Sequence, residues 1–163
     1  MPSSPIIQLL FAFAASGLLF ALWKGGPAER AAALIVAANL VLGAVVSEFL
    51  GPYETGLRFA LDGSTAFALL AVALRGAAPW MGVVMLLYAG QFSLHAYYIA
   101  TGRDQRDYLH ALLNNINFSA IIWCLIIGAA IAWRRRVVER RASSAASAAS
   151  SPRPLRTGSA RAP

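Results

Sequence analysis

The chain is short of charge. Of its 163 residues only 13% are Asp, Glu, Lys or Arg, while 58% are apolar; a water-soluble domain carries about 25% charge. So little polar surface cannot face water on every side, which excludes an ordinary soluble enzyme or binding module as the class of the whole chain. Up to Trp133 there is no net charge at all: Lys24, Arg30, Arg58, Arg75, Arg103 and Arg106 stand against Glu29, Glu48, Glu54, Asp62, Asp104 and Asp107. Cysteine is scarcer still. Cys124 is alone, so no intramolecular disulfide and no cysteine-based metal motif can form, and a small buried hydrophobe is the plain reading of it. The opening Met1-Pro-Ser-Ser-Pro5 has no Lys or Arg, whereas a signal peptide needs a basic n-region; cleavage after the first apolar run is therefore not expected. Missing too are His-x-x-Glu-His, Cys-x-x-Cys-His and any Gly-rich phosphate loop.

What the chain has is long apolar runs. A bilayer core about 30 Å thick takes roughly 20 helical residues, and the stretches 6–23, 31–50, 56–74, 80–100 and 108–133 fit that length. Turn and charge chemistry separates them, as in Lys24-Gly-Gly-Pro-Ala-Glu29-Arg30 and Gly51-Pro-Tyr-Glu-Thr55. The third stretch is the weak one, because Asp62 interrupts it. If it starts near Arg58, Asp62 falls just below the interface, and Arg58, four residues earlier, shares its face and can neutralise it. The alternative is a re-entrant segment and four spans.

Charge placement favours five. Short cytoplasmic loops retain Lys and Arg, and five spans with the C-terminus inside place Lys24, Arg30, Arg75 and Arg134–Arg136 together on that side. Trp23, Trp80, Trp133, Tyr53 and Tyr108 then fall at span ends, where aromatic belts sit. The small-residue pairs Gly43/Ser47 and Ala33/Ala37 suit close helix contact in the second span. The expected fold is an all-α membrane bundle of five transmembrane helices over residues 1–133, N-terminus outside, C-terminus cytoplasmic.

Residues 134–163 hold eight Arg and one Glu, so the whole net charge of +7 lies there. A basic, low-complexity segment with nothing to bury is expected to be a disordered cytoplasmic tail. Arg134–Arg141 is expected to act as a topology anchor, and the same cations could attract anionic lipid headgroups at about 1 kcal/mol each. The basic block abuts an apolar helix end, so nucleic acid is not an expected partner.

One polar constellation remains. Tyr88, Gln91, His95 and Tyr98 are spaced three, four and three along the fourth span and lie on one helical face. Asp107, His110, Asn114 and Asn117 repeat that spacing on the fifth. The two spans form a hairpin, so both stripes fall in the outer half of the membrane, with Glu48 and Asp62 at similar depth and Ser64 and Thr65 close by. Lipid cannot satisfy such groups, so the stripes are expected to face the bundle and each other.

The plain explanation is interhelical hydrogen bonding, worth about 0.6 kcal/mol per contact. The sharper one is a binding site made of Tyr88, Gln91, His95, His110, Asn114, Asn117, Glu48 and Asp62. His95 and His110 could ligate a haem iron or, with Glu48 or Asp62, a divalent metal, or hydrogen-bond a quinone or lipid headgroup. No spacing identifies a cofactor.

The loop Lys24–Arg30 and the spacing of the spans that follow, over about residues 8–136, make the chain similar to a group of small alphaproteobacterial integral membrane proteins of unknown function. That resemblance implies a bacterial inner-membrane setting, multi-pass, and transfers no functional residue. The leading expectation is a non-enzymatic accessory or ligand-binding module, alone, as a homo-oligomer or beside another membrane protein. A haem- or metal-binding protein and an oligomeric small-solute transporter are the alternatives. Against transport stands the absence of an ionisable residue expected near the bilayer centre, where only Asn39 is strongly polar.

Overall fold

The computed structural model describes residues 5–50, 53–76, 79–103 and 107–150. They form five helices and, among the described residues, no strand: α1 Pro5–Lys24, α2 Pro27–Phe49, α3 Glu54–Arg75, α4 Pro79–Thr101 and α5 Tyr108–Ser150. Each is long and apolar enough to cross a membrane, and the chain is a multi-pass membrane protein. The third element is a full helix of 22 residues, which removes the re-entrant alternative.

Two helices start earlier than the hydropathy pattern suggests, and for the same reason: polar residues are used inside the first turns. In α2, Pro27 occupies the first helical position, where its missing N–H costs nothing. Glu29, at the third position, reaches back to accept the N–H of Gly26 at 2.9 Å, as a capping carboxylate does. In α3 the helix begins at Glu54, with Arg58 one turn on forming an ion pair to it at 3.1 Å. The α4–α5 connection turns on Gly102, whose φ of 62° is the left-handed conformation that glycine adopts without penalty.

Short connections make successive helices antiparallel neighbours. The start of α1 and the α2–α3 and α4–α5 connections therefore share one end of the bundle, here called the mouth. The α1–α2 and α3–α4 connections and Trp133 share the other, the closed end. The ring is completed by α1 against α5. Gly17 leaves so little space that a Cβ there would stand 2.6 Å from Ile122, and Phe13 meets Trp123 with ring centroids 5.3 Å apart. A second close approach puts Gly128 of α5 against Trp80 of α4; of the Gly43/Ser47 pair expected from the sequence, Gly43 has Arg58 of α3 3.8 Å from its missing side chain and Ser47 bonds to Glu54 and Arg58.

The dry core fills the closed half. Leu18, Val36, Leu69, Val84, Ile122 and Leu125 interdigitate there with almost no exposure, and Cys124 packs against their edge. In a bilayer, dispersion contacts of this kind drive helix association, since lipid is as apolar as the core. Leu9, Leu19, Phe67, Leu74 and Leu86 cover the outside and are largely exposed, an apolar girdle that water-soluble proteins rarely show. Trp23, Tyr53 and Tyr108 are exposed at helix ends and Trp133 at the end of the first compact unit, and the Lys24 ammonium lies 3.8 Å over the Trp23 ring.

The chain divides into two compact units, Met1–Trp133 and Arg134–Pro163. In the second, residues 134–150 are helical, which corrects the expectation of disorder over that stretch. Arg, Ala and Glu are strong helix formers, and a span that is already helical removes the nucleation cost of continuing. Most of these side chains are exposed, so the helix is local in origin. The remaining part of the expected disordered tail, 151–163, lies outside the described residues, as do Asp104 and Arg106.

Candidate functional site

The mouth half holds a cavity of about 870 Å³ to which all five helices contribute. Its walls differ. Ile7, Leu10 and Phe11 of α1 and Leu40 of α2 make an apolar side, while α3, α4 and α5 bring Asp62, Gln91, His95, His110 and Asn114 to the other. Arg58, Glu54 and Arg103 line the cavity near the mouth end. The cavity is a vestibule in the bundle, with the apolar core beneath it.

The polar wall is built from hydrogen-bonded networks. At the mouth, Asp107 precedes the first turn of α5 and accepts the backbone N–H of His110 at 2.6 Å, satisfying a donor that a helix start leaves open. The Tyr98 hydroxyl donates to the same carboxylate at 2.9 and 3.0 Å, tying the end of α4 to the start of α5. The His110 backbone N–H holds the Asp107 carboxyl below the usual carboxylate range; desolvation works the other way, while the Tyr98 hydroxyl and the Arg103 charge add to the lowering.

One turn inward the imidazoles of His110 and His95 meet, Nε2 to Nδ1 at 3.3 Å. The other nitrogen of His95, Nε2, is 3.1 Å from Oδ2 of Asp62. Asp62 accepts at Oδ1 from the Asn39 amide at 3.2 Å, and that amide also donates to the Thr65 hydroxyl at 2.8 Å. A second bridge runs alongside, with Gln91 donating to Asn114 at 2.8 Å and accepting from Asn117 at 2.6 Å. Asp62, Thr65, His95 and His110 are all buried.

The structure thus brings Gln91, His95, His110, Asn114, Asn117 and Asp62 together. Tyr88 is buried in the apolar core beneath them. Glu48 is exposed and does not line the cavity; Glu54 supplies the carboxylate at the mouth instead, accepting from Ser47 at 2.6 Å. Arg58 bonds to Glu54 and Ser47, not to Asp62, which corrects the neutralising pair read from their spacing.

Asp62 is also deeper than expected. Because α3 begins at Glu54, Asp62 lies about 12 Å along the helix at 1.5 Å per residue, near the middle of a 22-residue span. An ionisable group therefore does sit at mid-bundle. What sequence reasoning missed is Asn39 as its partner. Asn39 was visible as the one strongly polar residue expected near the bilayer centre, but nothing in the pattern says which helix it meets.

The two imidazoles engage each other and Asp62 directly, with ring centroids 5.0 Å apart, and a macrocycle between them would have to part the rings. Among the described residues, no group of three or more His, Cys, Asp or Glu is arranged to hold a metal ion. The arrangement can bind hydrogen-bonding groups, hold a charge at depth and pass protons. Comparison with protein-family models, curated proteins and solved structures returns no match.

Proposed function

We propose that this chain is a non-enzymatic ligand-binding protein of a bacterial inner membrane, with the vestibule open to the outside and the Arg134–Arg141 segment in the cytoplasm. The Lys and Arg distribution supports that orientation. The carrying observation for ligand binding is that Gln91, His95, His110 and Asn114 border a cavity, where residues serving only to join helices would be packed shut. One apolar wall, one hydrogen-bonding wall and cations at the opening suit an amphiphile with a polar or anionic head, such as a quinone or a lipid.

The test is thermal melting of the protein in nanodiscs, with a short-chain quinone and a short-chain phosphatidylglycerol as probes. One of them is expected to raise the melting temperature, by the equivalent of about 2.7 kcal/mol at a hundredfold excess over Kd. Gln91→Leu with Asn114→Leu is expected to remove the rise. No shift with either probe, or a shift that survives the double variant, contradicts the reading. The depth of Asp62 favours a second reading, small-solute transport, since intramembrane acids mark substrate and ion pathways.

A further inference from the structure

We propose that His110, His95 and Asp62 form a proton relay that carries a proton from the vestibule mouth to the middle of the bundle. With Asp62 as the carboxylate and both rings neutral, the contacts set its direction. A carboxylate only accepts, so Nε2 of His95 carries the hydrogen in its 3.1 Å contact with Asp62. A neutral imidazole then offers Nδ1 as acceptor, and Nε2 of His110 supplies the hydrogen across 3.3 Å. A proton from hydronium in the vestibule is taken up at Nδ1 of His110, directly or through a hydrogen-bonded neighbour. Nε2 of His110 releases its hydrogen to Nδ1 of His95, and Nε2 of His95 releases its own to Oδ2 of Asp62. Each ring gains one proton and loses one; water is left at the mouth and Asp62 becomes a neutral acid.

The surroundings suit a one-sided loading site. On α3, Arg58 lies one turn toward the mouth and is engaged by Glu54. From α4 come Tyr98, edge-on to His110 with centroids 4.7 Å apart, and Tyr88 below. The α4–α5 side adds Arg103 at the cavity rim and Asp107, which is occupied in capping α5. On α2 the facing polar group is Asn39, and α1 presents Ile7, Leu10 and Phe11. Past Thr65 the path meets Val36, Leu69 and Ile122, which are packed dry. The proton is therefore held at Asp62, where its charge state sets the electrostatics of the vestibule floor whichever molecule occupies it.

The experiment uses the full chain in nanodiscs without added ligand, so its outcome is separate from that of the amphiphile test. A rapid drop from about pH 8 to about pH 5 spans the histidine range, and time-resolved infrared spectroscopy reads the protonated-carboxyl band. A band that develops in the wild type and is lost in Asp62→Asn is expected. His95→Gln and His110→Gln keep a hydrogen-bonding amide but cannot hand on a proton, and each is expected to slow the band by about tenfold or more. No band, a band unchanged in Asp62→Asn, or unaltered rates in both glutamine variants overturns the relay. The wild type carries an independent readout in its 15N-labelled histidines. One added proton is expected to move the nitrogens of both rings together, and two independent titrations contradict the proposal.

Discussion

His95→Leu is expected to destabilise the protein by about 3–5 kcal/mol, the cost typical of leaving a buried charge without its partner. Both side chains are almost wholly buried, with relative exposures of 4% for His95 and 8% for Asp62. Leucine fills the space but leaves Asp62 with the Asn39 amide as its remaining partner among the contacts described. That is more than the fraction of a kcal/mol expected of an average hydrogen bond between membrane helices, because the group left behind is ionisable. The comparison that isolates the cause is Asp62→Asn combined with His95→Leu, which removes the stranded charge and is expected to recover most of the loss. Chemical denaturation in mixed micelles measures both. A single variant costing under about 1 kcal/mol, with a double variant no better, would show that the pair carries little.

The second large effect lies at the closed end and has nothing to do with the polar site. A Cβ on Gly128 would stand 2.6–2.8 Å from the indole of Trp80, so α5 approaches α4 through a notch that only glycine leaves open. Gly128→Leu is expected to cost about 3 kcal/mol or more, at the upper end of overpacking penalties, even though leucine is the better helix former by about 1 kcal/mol. Gly128→Leu with Trp80→Ala is expected to recover part of it, since the ring that clashes is gone. Melting temperatures of the two variants against wild type decide this, and a Gly128→Leu protein as stable as the parent would mean the notch is not closed in the membrane.

The two effects fall in parts of the molecule that the sequence reveals unequally. The five helices follow from length, hydropathy and turn chemistry, because a bilayer permits so few backbone solutions that composition nearly determines them. The facing of the fourth and fifth spans was equally legible: their polar residues share a helical period, and a tight hairpin makes each the other's neighbour. Asn39, Thr65 and Glu54 were harder, since their partners lie on helices whose rotation about their own axes is set by packing, which periodicity does not encode. The depth of Asp62 was misjudged because α3 was expected to start near Arg58, when Glu54 and Arg58 neutralise each other inside the first turns. The helix through 134–150 shows a local propensity outweighing composition. The notch at Gly128 was invisible, because a glycine inside an apolar run gives no sign of what it faces.

On the proposed orientation the mouth half of the bundle holds a water-accessible vestibule and the closed half is dry. Cysteine accessibility in intact cells tests it most directly, with Cys124→Ser as background and a membrane-impermeant thiol reagent added from outside. Single substitutions Gly43→Cys, Asn114→Cys and Ala111→Cys, at positions lining the cavity, are expected to react. Val36→Cys, Leu69→Cys and Leu125→Cys, in the packed core, are expected to stay unmodified until the protein is denatured. Labelling confined to the core set, or equal in both sets, would contradict a water-filled mouth half above a dry core.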